Sequence, residues 1–406
     1  MNQLKFAIIK ERKTPPDRRV VFSPSKLLEV KAQFPNAEFK IEASNIRVFS
    51  DEEYKNAGFE VSHNIADCDM MIGIKEVPIE ALIPNKTYLF FSHTIKKQVH
   101  NRQLLKAVLE KNITLIDFET MVNSQRKRLI GFGKYAGIVG TYNGFRTWGL
   151  KYNAWQLPKA GQLSGKQDLL NHLKTLKLPN LKILVTGNGR VANGVQDMLD
   201  AMSIEAVSVD AFLNNIFHEP VYCKIHVSDY YKHKAGTVFN KEHFYENPQD
   251  YESDFMKFAR EADLLFTGHF YSEGAPYFYT RTDVQSLDFN IKVVADISCD
   301  VNGPIATTLR SSNIEAPIYG YDPETGTETD FKNKNAIAVM AVSNLPCELP
   351  KDASEGFGEV FLQEILPAFF NTDKDGILQR AKITENGKLT PNFKYLQDFV
   401  DHQKRF

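Results

Sequence analysis

At 406 residues with a hydrophobic fraction of 43%, the chain is about two to three times the size of a typical domain, and two domains are expected. Its 49 Lys plus Arg balance 50 Asp plus Glu for a formal net charge of -1, which leaves no bulk field to hold nucleic acid. With 24% charged and 12% aromatic residues there is material for both surface and core, so disorder is excluded as the dominant state.

In chain order, short apolar runs at Phe6 to Ile9, Phe39 to Ile41, Met70 to Ile74 and Thr87 to Phe91 read as strands, with Pro24 to Gln33 as an amphipathic helix between the first two. This is the βαβ rhythm of an α/β domain. The segment Gln98 to Lys111 places Leu104, Leu105, Val108 and Leu109 on one helical face, and the strand-like Ile113 to Ile116 follows. A helix from about Gly137 to Leu150 leads into the polar stretch Lys151 to Gly165, where the composition suggests a domain boundary. A second α/β rhythm begins with helix Asp168 to Leu176 and strand Lys182 to Thr186, then the apolar run Ala206 to Asp210. The Tyr-, His- and Lys-rich stretch His218 to Asp254 reads as an insertion. Strands at Ala262 to Thr267, Ile291 to Asp296 and Ala336 to Val342 precede an amphipathic helix at Gly356 to Phe370.

The four cysteines, Cys68, Cys223, Cys299 and Cys347, are scattered and form no CxxC or CxxH pair. No metal centre is expected, and a reducing, cytoplasmic compartment is. The N-terminal apolar run is too short for a signal-peptide core, and Ala336 to Val342 is far shorter than the roughly 18 to 20 residues that span a bilayer, so no membrane partner is expected.

The strongest chemical signal is Lys182-Ile-Leu-Val-Thr-Gly187-Asn-Gly189-Arg190-Val191-Ala192, an apolar strand running into G-x-G-x-x-A and then a helix. Gly187 suits the tight turn, Gly189 lets backbone amides approach a pyrophosphate, and Ala192 permits close helix–strand packing. Phosphates would rest on the N-terminus of the helix that follows, and Arg190 and Val191 are counted with the glycines as cofactor-binding residues. About twenty residues on, Asp210 closes an apolar run where a carboxylate would accept bonds from a ribose 2′-OH, which favours NAD over NADP. The ordinary structural reading, a glycine turn with no ligand, has to explain strand, glycines, helix and acid falling in register.

Three further segments put ionisable groups at strand ends, where α/β folds collect ligands. Lys75 follows Met70 to Ile74 and precedes Pro78; His93 follows Tyr88 to Phe91; Arg126-Lys-Arg128 runs into the glycine-bearing Leu129 to Gly133. Arg18 and Arg19 add guanidinium groups suited to carboxylates. Each alone is equally a solvated lysine, a satisfied histidine or a hairpin surface. Together with a dinucleotide loop they describe a dehydrogenase for an amino acid bearing carboxylates.

The stretches Arg19-Val-Val-Phe-Ser-Pro24, Gly73-Ile-Lys-Glu-Val-Pro78, Phe90-Phe-Ser-His-Thr-Ile-Lys-Lys-Gln98, Leu115-Ile-Asp-Phe-Glu119, Gly131-Phe-Gly-Lys-Tyr-Ala-Gly137, Val294-Ala-Asp-Ile-Ser-Cys-Asp300 and Asn344-Leu-Pro-Cys-Glu-Leu-Pro350 together resemble the saccharopine dehydrogenase (lysine-forming) family. The likeness is nearest to the lysine–2-oxoglutarate reductase part of the bifunctional aminoadipic semialdehyde synthases, and it extends more distantly to alanine dehydrogenase and transhydrogenase. The resemblance implies two Rossmann-like α/β domains with parallel sheets and the active site in the cleft between them. Residues 1–137 plus 345–406 would form the substrate domain, and 138–344 the dinucleotide domain with an insertion at about 211–260. It implies NAD or NADP as cofactor, and L-lysine, 2-oxoglutarate and saccharopine as substrates. It leaves room for a homo-oligomer. By position, Lys75 and His93 match the family's acid–base pair, Arg19 its carboxylate-binding arginine, and Lys96 and Gln98 its substrate-contacting residues. Arg128 and Phe132 match residues lining the cleft, and Asp296 the aspartate at the nicotinamide end. The rival readings are a dehydrogenase for another amino acid, such as alanine, and a nucleotide-binding protein without turnover.

Overall fold

A computed structural model describes residues 3–272 and 274–401; residues 1–2 and 402–406, at the ends of the expected substrate domain, lie outside the described residues. The strands in chain order are β1 Leu4–Ile8, β2 Ala37–Glu42, β3 Glu60–Ser62, β4 Met70–Ile72, β5 Thr87–Phe90, β6 Thr114–Asp117, β7 Lys182–Thr186, β8 Glu205–Ala206 and β9 Val221–Ile225. There follow β10 Tyr231–His233, β11 Tyr251–Ser253, β12 Leu264–Thr267, β13 Val293–Ala295, β14 Ile318–Tyr321, β15 Glu328–Thr329, β16 Ile337–Met340, β17 Lys382–Glu385 and β18 Lys388–Leu389.

The chain divides into two compact units, Met1–Phe132 with Pro350–Phe406, and Gly133–Leu349. The first unit is built on the sheet β18-β17-β6-β5-β4-β1-β2-β3. Its strands from β6 to β3 are parallel, and β17 and β18 extend it antiparallel. Because both faces of a parallel sheet are covered, its strands read as continuous apolar runs. Phe6, Ile8, Ile72, Leu89 and Ile116 enter one core, while Ala7, Met71, Tyr88, Phe90 and Leu115 enter the other. Helix Pro24–Gln33 starts where the sequence puts it, with Pro24 in the first turn and the Ser23 side chain accepting from Lys26 N–H. The expected helix Gly356 to Phe370 begins earlier, at Pro350, and passes through a π-helical turn at Phe361–Ile365.

The second unit carries the sheet β15-β14-β16-β13-β12-β7-β9-β8. It is parallel from β16 to β8, with β14 and β15 antiparallel at one edge. Both sheets are thus mostly parallel, in line with the expected α/β class, with short antiparallel strands added at one edge of each. The antiparallel edge strands are short and partly polar, and only their pairing reveals them. Helix Gly133–Tyr152 is largely buried across the second sheet. It begins four residues before the expected start, inside what was expected to be the first domain.

Two readings are corrected here. Lys151 to Gly165 is no boundary: Lys151 Nζ donates to three backbone carbonyls between Phe331 and Ala336, and Trp155 Nε1 donates to Phe145 O. The supposed insertion 211–260 contributes β9 to the sheet directly beside β7, a strand hidden in the sequence by its polar and aromatic surroundings. Among the described residues no helix is long and apolar enough to cross a membrane.

Candidate active site

In the first sheet the chain runs outward from β1 to β2 and β3 on one side and from β4 to β5 and β6 on the other. The strand order therefore reverses between β1 and β4, and ligands of open α/β sheets bind at the carboxyl ends of such strands. The ionisable groups are there: Glu11 after β1, Lys75 and Glu76 after β4, His93 after β5 and Glu119 after β6.

His93 adopts a left-handed backbone (φ 53°), a conformation histidine tolerates better than most residues. The turn is held from β6, where the Asp117 carboxylate accepts from Ser92 N–H (3.0 Å) and from Ser92 Oγ, and its other oxygen accepts from Glu119 N–H (2.7 Å). His93 Nδ1 lies 2.5 Å from Glu76 Oε1. A carboxylate there makes Nδ1 the protonated nitrogen and leaves Nε2 to exchange protons. Burial pushes the Glu76 carboxyl up, but its bond to His93 and the His93 and Lys13 charges outweigh this and bring it down to about 2. Lys13 Nζ sits 3.1 Å from the second Glu76 oxygen.

Lys75 is half-buried. Its own N–H and that of Ile74 donate to the two oxygens of the fully buried Glu11 (2.9 and 2.6 Å). Burial drives Glu11 up to about 8, against the pull of those amides and of Arg19. Arg19 forms a buried fork with Asp17 (2.6 and 3.0 Å) and stacks over Phe132 at 4.1 Å. Asp17 is below the usual carboxylate range because Arg19, with help from Lys75, overcomes its burial. Phe132 in turn lies flat on Phe357 at 4.7 Å.

Lys96 and Gln98 are exposed, and Lys96 pairs with Glu119 (3.2 Å), whose second oxygen is buried without a hydrogen-bond partner. Arg128 is exposed, with Nε donating to Ile130 O and its guanidinium 5.5 Å from the Phe91 ring centre. The structure thus gathers Lys75, His93, Arg19 and Phe132 with three carboxylates, Glu11, Glu76 and Asp17, to which the sequence reading gave no role. The available signal for Glu11 and Glu76 was their position just after strands, whereas Asp17 lies in the connection between β1 and the helix at Pro24 and carried none.

In the second sheet the order reverses between β7 and β12. Gly187 follows β7 in the left-handed region (φ 90°), and a Cβ there would lie 2.6 Å from Gly268 O, so glycine is required. Gly189 caps helix Arg190–Ala201, and a Cβ on it would meet nothing within 4 Å. The first turn of that helix holds no acidic residue, so no carboxylate of its own opposes an anion at the positive end of the helix. Ala192 is buried, and a Cβ on Gly268 would lie 2.8 Å from its amide nitrogen. The helix is pressed against Gly133–Tyr152, backbone to backbone at Gly137 and Gly194.

Beside this loop, across the reversal point, His269 Nδ1 lies 2.8 Å from Thr186 Oγ1. Gly268 N–H also donates to that hydroxyl (3.3 Å). Burial holds His269 down to about 3, and its Nε2 is buried with no hydrogen-bond partner. An open cradle over Gly189, a helix N-terminus with no carboxylate of its own and a buried neutral imidazole fit a dinucleotide.

Two expected cofactor residues take other parts. Asp210 does not end a strand: Ser208 caps a helix Val209–Asn214, where Asp210 is exposed and bonded to Asn214 Nδ2 (2.9 Å). The strand next to β7 is β9, and the residue that follows it is His226. Asp296 follows β13, but it is only 1% exposed and accepts from Thr267 Oγ1, Thr308 Oγ1 (both 2.5 Å) and Cys299 N–H (3.0 Å). Burial raises its carboxyl despite these donors. It ties the end of β12 to the segment after β13.

Residues 7–139 match the family model of the alanine dehydrogenase/PNT N-terminal domain. The chain is 28% identical to the mitochondrial alpha-aminoadipic semialdehyde synthase of Mus musculus over 90% of its own length and 45% of the relative's. It is 26% identical to the NAD(+), L-lysine-forming saccharopine dehydrogenase of Schizosaccharomyces pombe, covering 85% of this chain and 88% of that one. The chain spans less than half the length of the synthases it matches. A solved L-alanine dehydrogenase shares the fold, with a TM-score of 0.65 at 17% identity over 98% of this chain and 100% of that one.

Proposed function

We propose that this relative of the saccharopine dehydrogenases is a nicotinamide-dependent oxidoreductase acting on CH–NH bonds, and that it interconverts saccharopine with L-lysine and 2-oxoglutarate. The observation that carries the reading is the Lys75–Glu76–His93 cluster at the reversal point of one sheet, in a chain whose other sheet carries a phosphate-ready glycine loop.

NAD(P)H would supply the hydride. In the condensing direction the ε-amine of lysine adds to the keto carbon, water leaves, and the imine carbon is reduced while its nitrogen gains a proton. Lys75 moves the protons of carbinolamine formation and dehydration. His93, held by Glu76, gives the proton to the nitrogen through Nε2 in reduction and takes it back in oxidation. Arg19 and Arg128 hold substrate carboxylates; Arg19 does so as a guanidinium already oriented by Asp17. Gly187, Gly189, Arg190, Val191 and Ala192 carry the dinucleotide phosphates. The four cysteines are free thiols, and a reducing compartment such as the cytoplasm suits them.

The test is nicotinamide absorbance on mixing the protein with L-lysine, 2-oxoglutarate and NADH or NADPH, with pyruvate plus ammonia alongside. Turnover that needs both lysine and 2-oxoglutarate is the expected result. Turnover only with pyruvate and ammonia would replace the substrate by an alanine-type one, and failure to bind either nucleotide would refute the reading. Lys75→Met and His93→Gln should each lower kcat by about 10²–10⁴-fold with cofactor affinity unchanged.

A further inference from the structure

Three side chains of metal-ligating type, with no part in either cluster, converge in the segment between β9 and β12. His233 ends β10, Asp250 stands immediately before β11, and His243 lies in helix Lys241–Glu246. One donor atom from each lies within 4.8 Å of the other two. The placement is built in: the ladder pairs His233 with Tyr251, the Asn240 side chain caps the His243 amide, and the Tyr251 ring, 1% exposed, packs against both imidazoles at 5.0 and 5.8 Å.

The hydrogen bonds also fix which nitrogen of His243 is available. Tyr251 Oη donates to Asn240 O (3.0 Å), so toward His243 Nδ1, 3.2 Å away, it can only accept. Nδ1 therefore carries the proton, and Nε2 keeps its lone pair 3.7 Å from Asp250 Oδ2. A histidine that donates its other N–H to a fixed acceptor is the usual companion arrangement of a metal ligand. Neighbouring donors on a tetrahedral zinc ion with bonds of about 2.0 Å are roughly 3.3 Å apart, so this pair needs little movement. Among the described residues no lysine or arginine forms an ion pair with Asp250. His233 Nδ1 now accepts from Ala235 N–H (3.1 Å). A metallated imidazole has no lone pair left for that amide, but Ala235 is exposed and water can take its place.

We propose that His233, His243 and Asp250 form a site for a borderline divalent transition metal of the zinc class, with water completing the shell. Two imidazoles and one carboxylate suit such an ion and not magnesium or calcium, which take oxygen ligands. The ion ties the end of β10, the helix and the turn before β11 together. The pattern escapes a sequence scan because the ligands come from three elements at spacings of no familiar motif.

The experiment uses the full chain, stripped with a chelator and titrated with zinc chloride by calorimetry at pH 7.5, with bound zinc counted after dialysis. One equivalent should bind and raise Tm, and it should disappear in His233→Asn, His243→Asn and Asp250→Asn. These partly exposed positions should leave the zinc-free Tm unchanged. Tyr251→Phe should weaken binding by about 10–100-fold. Zinc bound equally by wild type and all three variants, or bound without a rise in Tm, means an adventitious ion only and overturns the proposal. So does the absence of binding. None of these outcomes depends on the dehydrogenase activity.

Discussion

Gly189→Ala separates the fold from the cofactor site. Gly189 has φ −82° and ψ −169°, extended backbone that alanine adopts without strain, and the added methyl meets no atom within 4 Å. The free protein should tolerate it: reduced freedom of the unfolded chain is worth about 0.4–1 kcal/mol, a rise in Tm of at most about 4 °C for a body of this size. Binding should respond in the opposite direction. On the proposed placement the methyl would occupy the space through which phosphate oxygens reach the amides at the start of helix Arg190–Ala201, and losing two charge-assisted bonds at about 1.5–3 kcal/mol each would raise Kd more than a hundredfold. NADH and NADPH fluorescence titration, with thermal melts of the free protein, reads both. An unchanged Kd at an unchanged Tm would refute the placement of the phosphates over Gly189. Gly137→Ala is the mirror case. Its Cβ would lie 2.1 Å from Val191 O and 2.9 Å from Gly194 Cα, so two helix backbones must part by more than an ångström. The free protein should lose about 1–3 kcal/mol, several degrees in Tm, before any ligand is added.

Glu76 makes stability depend on acid pH. Its folded carboxyl titrates at about 2 against an ordinary value of 4.5, so its contribution, up to about 3 kcal/mol, is present above pH 4.5 and lost as pH falls toward 2. Melts of wild type and Glu76→Gln should therefore converge below pH 3 and separate above pH 5; a constant difference across that range would argue against the His93–Glu76 pairing. Asp210→Asn should leave the NADH-to-NADPH preference unchanged within about twofold, because β9 stands between β8 and β7. Changes at His226, which follows β9, should move the preference, and a switch on Asp210→Asn would restore the acid's role.

Much of the fold was legible because both parallel sheets are buried on two faces, so their strands are apolar runs that need no context: β4, β5, β7, β12 and β13 were all visible within two or three residues. The glycine loop was legible for a local reason, since turn, close approach and helix start are dictated by neighbouring residues. β8 and β9 were not. One is two exposed residues, the other lies in polar surroundings, and only strand order shows that β9 stands beside β7 and displaces Asp210 from the position assigned to it.

By itself the sequence determined the α/β class, the glycine-rich turn between strand and helix and the placing of Lys75 and His93 at strand ends, because periodicity and short-range motifs are properties of contiguous residues. The tertiary structure alone decided which carboxylates serve them: Glu76 reaches His93 from another strand end, Glu11 arrives from β1 to bind the Lys75 amide, and Asp117 fixes the His93 turn from β6. Those partners are up to 64 residues apart. Carboxylates occur at many strand ends, and only a sheet's strand order determines which of them meet.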